Sequence, residues 1–261
     1  MKIQLPDTFD LTHAERYSLT IAIHEQQYAF ALHDPSDSSV SFYYALPNSS
    51  ESKAFADFQD FFFENEFLTL PFKQVSLINY TAVFTCVPSL IFEEKDKETY
   101  MQFLFSEIKG KILSHPLPSQ ELTILHEIPE DVYAFFQRSF VQAQIVHHTA
   151  PLLNYFQQKE PVTDCNRLIA YRKNKGLDIL CFSPEKLLLV NHFDCSDEQD
   201  AVYYILFLWK QLKFNPRNDY AIMAGETEAW PAIETILSKY LQQVTRIDLS
   251  EETLFNAFEI Y

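Results

Sequence analysis

Three short runs near the start of the chain alternate apolar and polar positions. Residues 17–24 read YSLTIAIH, residues 27–33 QYAFALH and residues 40–46 VSFYYAL. Period-two alternation with β-branched and aromatic content predicts strands, and the polar breaks at 25–26 and 34–39 predict an antiparallel meander. The period then lengthens: Phe55, Phe58 and Phe62 recur at helical spacing across 52–67. Residues 74–80 and 82–87 return to strand character. Residues 93–110 predict a segment that is charged at first and then helical, with Tyr100, Phe103, Leu104 and Ile108 on one stripe. A strand at 121–128 follows, then a helix opened by Pro129, a strand at 144–148 and a helix at 150–158.

The opening order then recurs. Residues 167–173, 177–183 and 186–192 predict three strands. Ser196 begins a capping box with Gln199, and a helix runs to about Leu212. A strand at 219–224, a helix opened by Pro231, a strand at 245–249 and a last helix capped by Ser250-Glu251-Glu252 complete the chain. Strand-strand-strand-helix-strand thus appears twice, offset by about 150 positions, without sequence identity between the copies.

Three antiparallel strands followed by a helix and a strand begin a ribonuclease H-like layer. Two in tandem resemble the actin-like ATPase superfamily, which includes sugar kinases, the chaperone Hsp70 and bacterial pilus-assembly and cell-division proteins. The segment ELTILHEIPEDVYAFFQRSFVQAQIVHHTAPLLNYF is most similar to the pilus-assembly branch. The resemblance covers about residues 16–250 and implies an uncharacterised bacterial family. The implied fold is α/β, with two tandem ribonuclease H-like lobes built on mixed five-stranded sheets with helices. The first lobe is expected over 1–149, with an insertion around 89–112. The second is expected over 150–261, including a C-terminal helix.

Active members of that superfamily hold ATP between their lobes, and glycine-bearing hairpins let backbone N–H groups approach the phosphates. This chain has only 3 glycines in 261 residues, where average usage of ~7% gives roughly 18. The first hairpin, Ile23-His24-Glu25-Gln26-Gln27, has none. The second, running from Arg172 to Asp178, has Gly176, and the third candidate turn, around Ala224, has Gly225 alone. A non-glycine residue in the left-handed region costs roughly 1–2 kcal/mol, and its Cβ blocks close approach of a ligand to the backbone. Glu226 and Glu228 place negative charge where a phosphate would sit. The first hairpin lacks an aspartate to hold Mg²⁺ through water.

What remains is a degenerate cofactor-binding set, Lys173, Gly176 and Gly225. ATP hydrolysis is not expected. No catalytic residue, metal ligand or cofactor is nominated. The alternative is an atypical enzyme or sensor of the kinase-like actin-fold class, using those three residues for a nucleotide or phosphorylated metabolite. Ribonuclease H nuclease chemistry is excluded, since it needs carboxylates on the central strands, and residues 17–24 and 167–173 carry none.

Charge narrows the partners. Lys+Arg 20 against Asp+Glu 36 leaves a formal net charge of −16, so the surface repels polyanions and nucleic acid is not expected. The partner expected is another protein or a second copy. Cys86, Cys165, Cys181 and Cys195 form no CxxC pair or zinc spacing, as in a reducing cytoplasm. The longest apolar block, 201–209, is far short of the ~20 residues of a membrane span, and the opening residues carry no signal-peptide pattern. His147-His148 on a strand should face opposite sides, one buried and one exposed. Phe61-Phe62-Phe63 spans too much of a helix's circumference for one apolar face. Either that helix is covered on several sides or one ring is left for a partner.

Overall fold

In a computed structural model of the chain, the structure describes residues 2–24, 27–50, 53–140, 142–159, 164–173, 175–225 and 228–256. The chain forms two compact units. One comprises the described residues of Met1–Leu117, Thr123–Ala150 and Phe255–Tyr261; the other comprises those of Pro118–Leu122 and Pro151–Leu254.

The first unit is built on a sheet of β1 (Ser18–Ile23), β2 (Gln27–Asp34), β3 (Asp37–Pro47), β4 (Gln74–Asn79) and β8 (Gln144–His147), ordered β3-β2-β1-β4-β8. β2 runs antiparallel to both neighbours, while β1, β4 and β8 are parallel. Ile21 lies opposite Phe30 on one side and Leu77 on the other. Leu19, Ile21, Phe30, Leu32 and Leu77 join one core with Phe58, Phe61 and Phe62 of α1 (Ala54–Glu64) and Phe135 and Phe136 of α3 (Glu130–Ser139). Phe58 stacks on Phe136 at 5.8 Å, and Phe62 meets Phe135 edge-on at 5.1 Å. Such pairs contribute roughly 0.5–1.5 kcal/mol each beyond area burial.

Of the phenylalanine triplet, Phe61 and Phe62 are buried and Phe63 is 71% exposed. α1 stops short of the expected Phe67 because Asn65 competes for the backbone. Its amide donates to the Phe61 carbonyl at 2.8 Å and its carbonyl oxygen accepts the Ile3 N–H at 2.8 Å.

A three-stranded sheet, β5-β7-β6, lies between β4 and α3 in the chain: β5 (Phe84–Pro88), β6 (Lys111–Leu117) and β7 (Leu122–Ile128). With α2 (Lys97–Leu104) it encloses a small core of Val87, Met101, Ile112 and Leu125. The helix expected through Gly110 ends at Leu104, and its inward residue is Met101. Of the expected stripe, Phe103 and Leu104 are exposed. An apolar period finds a stripe but cannot choose between two apolar faces separated by one residue.

The second unit repeats the first sheet's order and strand senses. β9 (Arg167–Lys173), β10 (Gly176–Phe182), β11 (Leu187–Asp194), β12 (Tyr220–Ala224) and β13 (Gln243–Ile247) are ordered β11-β10-β9-β12-β13. The duplicated mixed sheet expected from the sequence is present. α5 (Glu198–Gln211) and α6 (Trp230–Leu237) cover Leu168, Ala170, Ile179 and Met223. The α5 capping box uses Asp197 and Asp200, one residue beyond the expected pair. α4 (Thr149–Lys159) follows β8, and α7 (Glu251–Asn256) follows β13.

Candidate functional site

Open α/β sheets bind ligands beyond the carboxyl ends of their parallel strands, where the strand order reverses. In the first unit those ends are Ile23, Asn79 and His147. The chain leaves them through His24, Tyr80 and His148, and the three rings stack. His24 and Tyr80 have centroids 3.7 Å apart with their planes tilted by 39°, and Tyr80 and His148 stack 4.8 Å apart, nearly parallel at 7°. His147 continues the stack onto Phe84 at 4.1 Å.

Polar partners hold the His147 ring and the chain around the other rings. His147 Nε2 donates to the Thr81 carbonyl at 3.0 Å, which leaves Nδ1 to pair with the Thr149 hydroxyl at 2.7 Å. The Asn79 amide donates to His126 Nδ1 at 2.9 Å and to the Glu127 carbonyl at 2.7 Å. The Asn48 amide donates to the His24 carbonyl at 2.7 Å. Burial lowers the His126 pKa to about 3, with His115 and His148 adding to the effect, so this imidazole is neutral at pH 7. Both His147 and His148 are buried, contrary to the expected split. β8 ends at His147, so strand alternation no longer governs His148, which turns under Tyr80.

The three residues nominated in the second unit do come together at the matching edge. Gly176 pairs with Lys173 across the β9–β10 ladder, and Gly225 follows β12 against the β9 backbone. Each is engaged by its own surroundings. Lys173 Nζ lies 2.6 Å from Glu251 Oε1, in the first turn of α7. A Cβ on Gly176 would lie 2.7 Å from His192 Cε1, and the His192 ring is held by Asp178 at 2.8 Å. Gly225 has φ +93°, and a Cβ there would lie 2.5 Å from the Arg172 carbonyl oxygen. The side chain of Trp230, just beyond, donates to the Ala224 carbonyl at 3.1 Å. Both glycines therefore serve close packing of the chain on itself. Of the nominated hairpins and turn, Glu25, Gln26, Asn174, Glu226 and Thr227 lie outside the described residues.

A cavity of about 400 Å³ opens at the opposite end of β9, lined by Arg167, Phe182, Gln120, Ser183, Glu185 and Lys186. Arg167 stands 5.2 Å from the Phe182 ring centroid as a cation–π pair. This is the amino end of β9, away from the edge where the topology places ligands.

Residues 6–244 match the family described as Protein of unknown function (DUF3822). The chain belongs to this family. Among solved structures, the DUF3822 chain is similar to a Bacteroides thetaiotaomicron protein with actin-like ATPase fold and unknown function. The TM-score is 0.89 at 24% identity, over 96% of this chain and 99% of that one. It is also similar to the PilM-PilN type IV pilus biogenesis complex, with TM-score 0.53 and 11% identity over 88% of each chain. No curated protein matches the DUF3822 sequence. The fold is thus actin-like, as the order of elements implied.

Proposed function

We propose that this DUF3822 protein is a non-catalytic actin-fold scaffold, a protein-binding module whose nucleotide site is degenerate. In this reading, residues 1–149 with an insertion around 89–112, and residues 150–261, are the two lobes of a former ATPase body. The single observation that carries it is the Lys173–Glu251 ion pair at 2.6 Å. The cation best placed to meet a phosphate is already neutralised by a carboxylate that is only 7% exposed. An incoming phosphate would have to compete with that buried carboxylate for the lysine, and breaking a buried ion pair is unfavourable. The stacked rings of His24, Tyr80 and His148 occupy the corresponding edge of the first unit.

Protein partners for this fold are supported by the PilM-PilN complex among the similar structures. A cytoplasmic setting is supported by the free thiols of Cys86, Cys181 and Cys195. Among the described residues, no helix is long and apolar enough to cross a membrane.

Thermal-shift titration with Mg-ATP, ADP and pyrophosphate tests the proposal. The expected result is no saturable rise in melting temperature. A saturable rise that Lys173→Ala abolishes would contradict it and support the atypical nucleotide-binding alternative.

A further inference from the structure

Among the described residues, four of the large apolar side chains left in solvent come from the small β5-β7-β6 module. Leu90 is 96% exposed, Ile91 58%, Phe103 88% and Leu104 54%. Leu90 and Ile91 lie beyond β5, and Phe103 and Leu104 form the last turn of α2. Contacts of their chain neighbours bring the two pairs near each other. The Tyr100 hydroxyl donates to the Ile91 carbonyl at 2.9 Å, and the Phe92 ring lies 6.4 Å from Tyr100. Phe103 and Leu104 follow Tyr100 by three and four positions, so they stand beside it on the helix. These four are not a loosely closed core. Met101 already anchors α2 to Val87, Ile112 and Leu125, and the Lys97–Glu94 pair at 2.6 Å ties the start of the helix to the turn before it. A supported apolar face of this kind marks an interaction site.

Charge decides among the occupants. The stretch that carries the patch pairs Lys95, Lys97 and Lys109 with Glu93, Glu94 and Glu107, which leaves the charge of Asp96 and Glu98 in excess, and the whole chain carries −16. A second copy, or an anionic bilayer, brings further net negative charge to a chain that already carries −16. A partner with apolar anchors flanked by lysine or arginine is drawn in and oriented. We propose that this face docks an amphipathic, basic segment of another protein. The inference names the surface and partner chemistry for the protein-binding role proposed above, and rests on that role. Nucleotide titration tests the closed site, whereas the experiment below reads only this surface, so the two fail separately.

The probe is a fluorescent peptide of leucine and lysine in amphipathic helical order, titrated with the full chain and followed by anisotropy. Its control is the leucine–glutamate counterpart. The expected result is saturable binding of the lysine peptide, weakened by added salt and weakened at least about tenfold by Phe103→Ser/Leu104→Ser, which leaves the charge unchanged. Leu90→Ser, outside the helix, is the independent second variant. An unchanged melting temperature shows that each variant is folded. Three results overturn the proposal: no saturable binding, equal affinity in the folded variants, or equal binding of the glutamate peptide. So does co-sedimentation with phosphatidylglycerol vesicles, or a dimer in light scattering, that Phe103→Ser abolishes. Either would assign the face to a lipid surface or to a second copy.

Discussion

Lys173 and Glu251 stand 78 positions apart in the chain, yet their charged atoms meet at 2.6 Å beyond the carboxyl end of β9. The carboxylate is buried and the ammonium reaches solvent in part. Removing one partner of such a pair forfeits its attraction, so Glu251→Ala should lower unfolding stability by about 2 kcal/mol, the lysine's access to water holding the loss below the fully buried range. The double variant Lys173→Met/Glu251→Leu should recover most of that loss. Urea denaturation of the four members of the cycle measures it. Additive losses in the double variant would show that the pair is not coupled.

Gly225 supports the same edge through its backbone. Gly225→Ala puts a Cβ 2.5 Å from the Arg172 carbonyl at φ +93°. The left-handed penalty plus the clash should cost about 3 kcal/mol, read as a fall in the urea midpoint with the slope unchanged. A loss under about 0.5 kcal/mol would mean that this turn relaxes freely.

Acid should find His126 first. Its imidazole takes a proton near the ordinary 6.5 in the unfolded chain, but only near about 3 when folded, because burial opposes the charge. Between those values the unfolded state binds the extra proton, so stability is full above 6.5 and falls as the pH falls toward 3. The slope approaches about 1.4 kcal/mol per pH unit from this one group. His126→Gln should flatten the slope by up to one proton in denaturation curves taken across that window. An unchanged slope would place the titration elsewhere.

The phenylalanine triplet separates burial from exposure within one helical turn. Phe58→Ala, next to the triplet and stacked on Phe136, should cost about 3–5 kcal/mol. Phe63→Ala, largely in solvent, should change stability by less than about 0.5 kcal/mol. Calorimetric melting of the two variants checks the contrast.

The strands of both five-stranded sheets were legible because each announces itself locally. In β1, alternate residues Leu19 and Ile21 pack into the helix-covered core, and the same alternation recurs in Leu168 and Ala170 of β9. Order and repetition then pointed to the duplicated layer. The fillings of the two edges were not legible. His24, Tyr80 and His148 are brought together by parallel pairing of strands far apart in sequence, and nothing near any one of them signals the stack. Glu251 carries a misleading local signal: an acidic residue in a first helical turn is already explained by the helix dipole. β6 was missed because Pro116 and a weak burial alternation hide it. Lys173, Gly176 and Gly225 could be nominated from the hairpin and turn positions that the actin-like resemblance implies, but their intramolecular partners needed the fold.

Isothermal titration calorimetry of the intact chain with Mg-ATP tests the central claim most directly. The account predicts no binding heat beyond dilution up to millimolar nucleotide, for the wild type and for the Lys173→Ala variant alike. A saturable micromolar isotherm in the wild type, lost in Lys173→Ala, would contradict it.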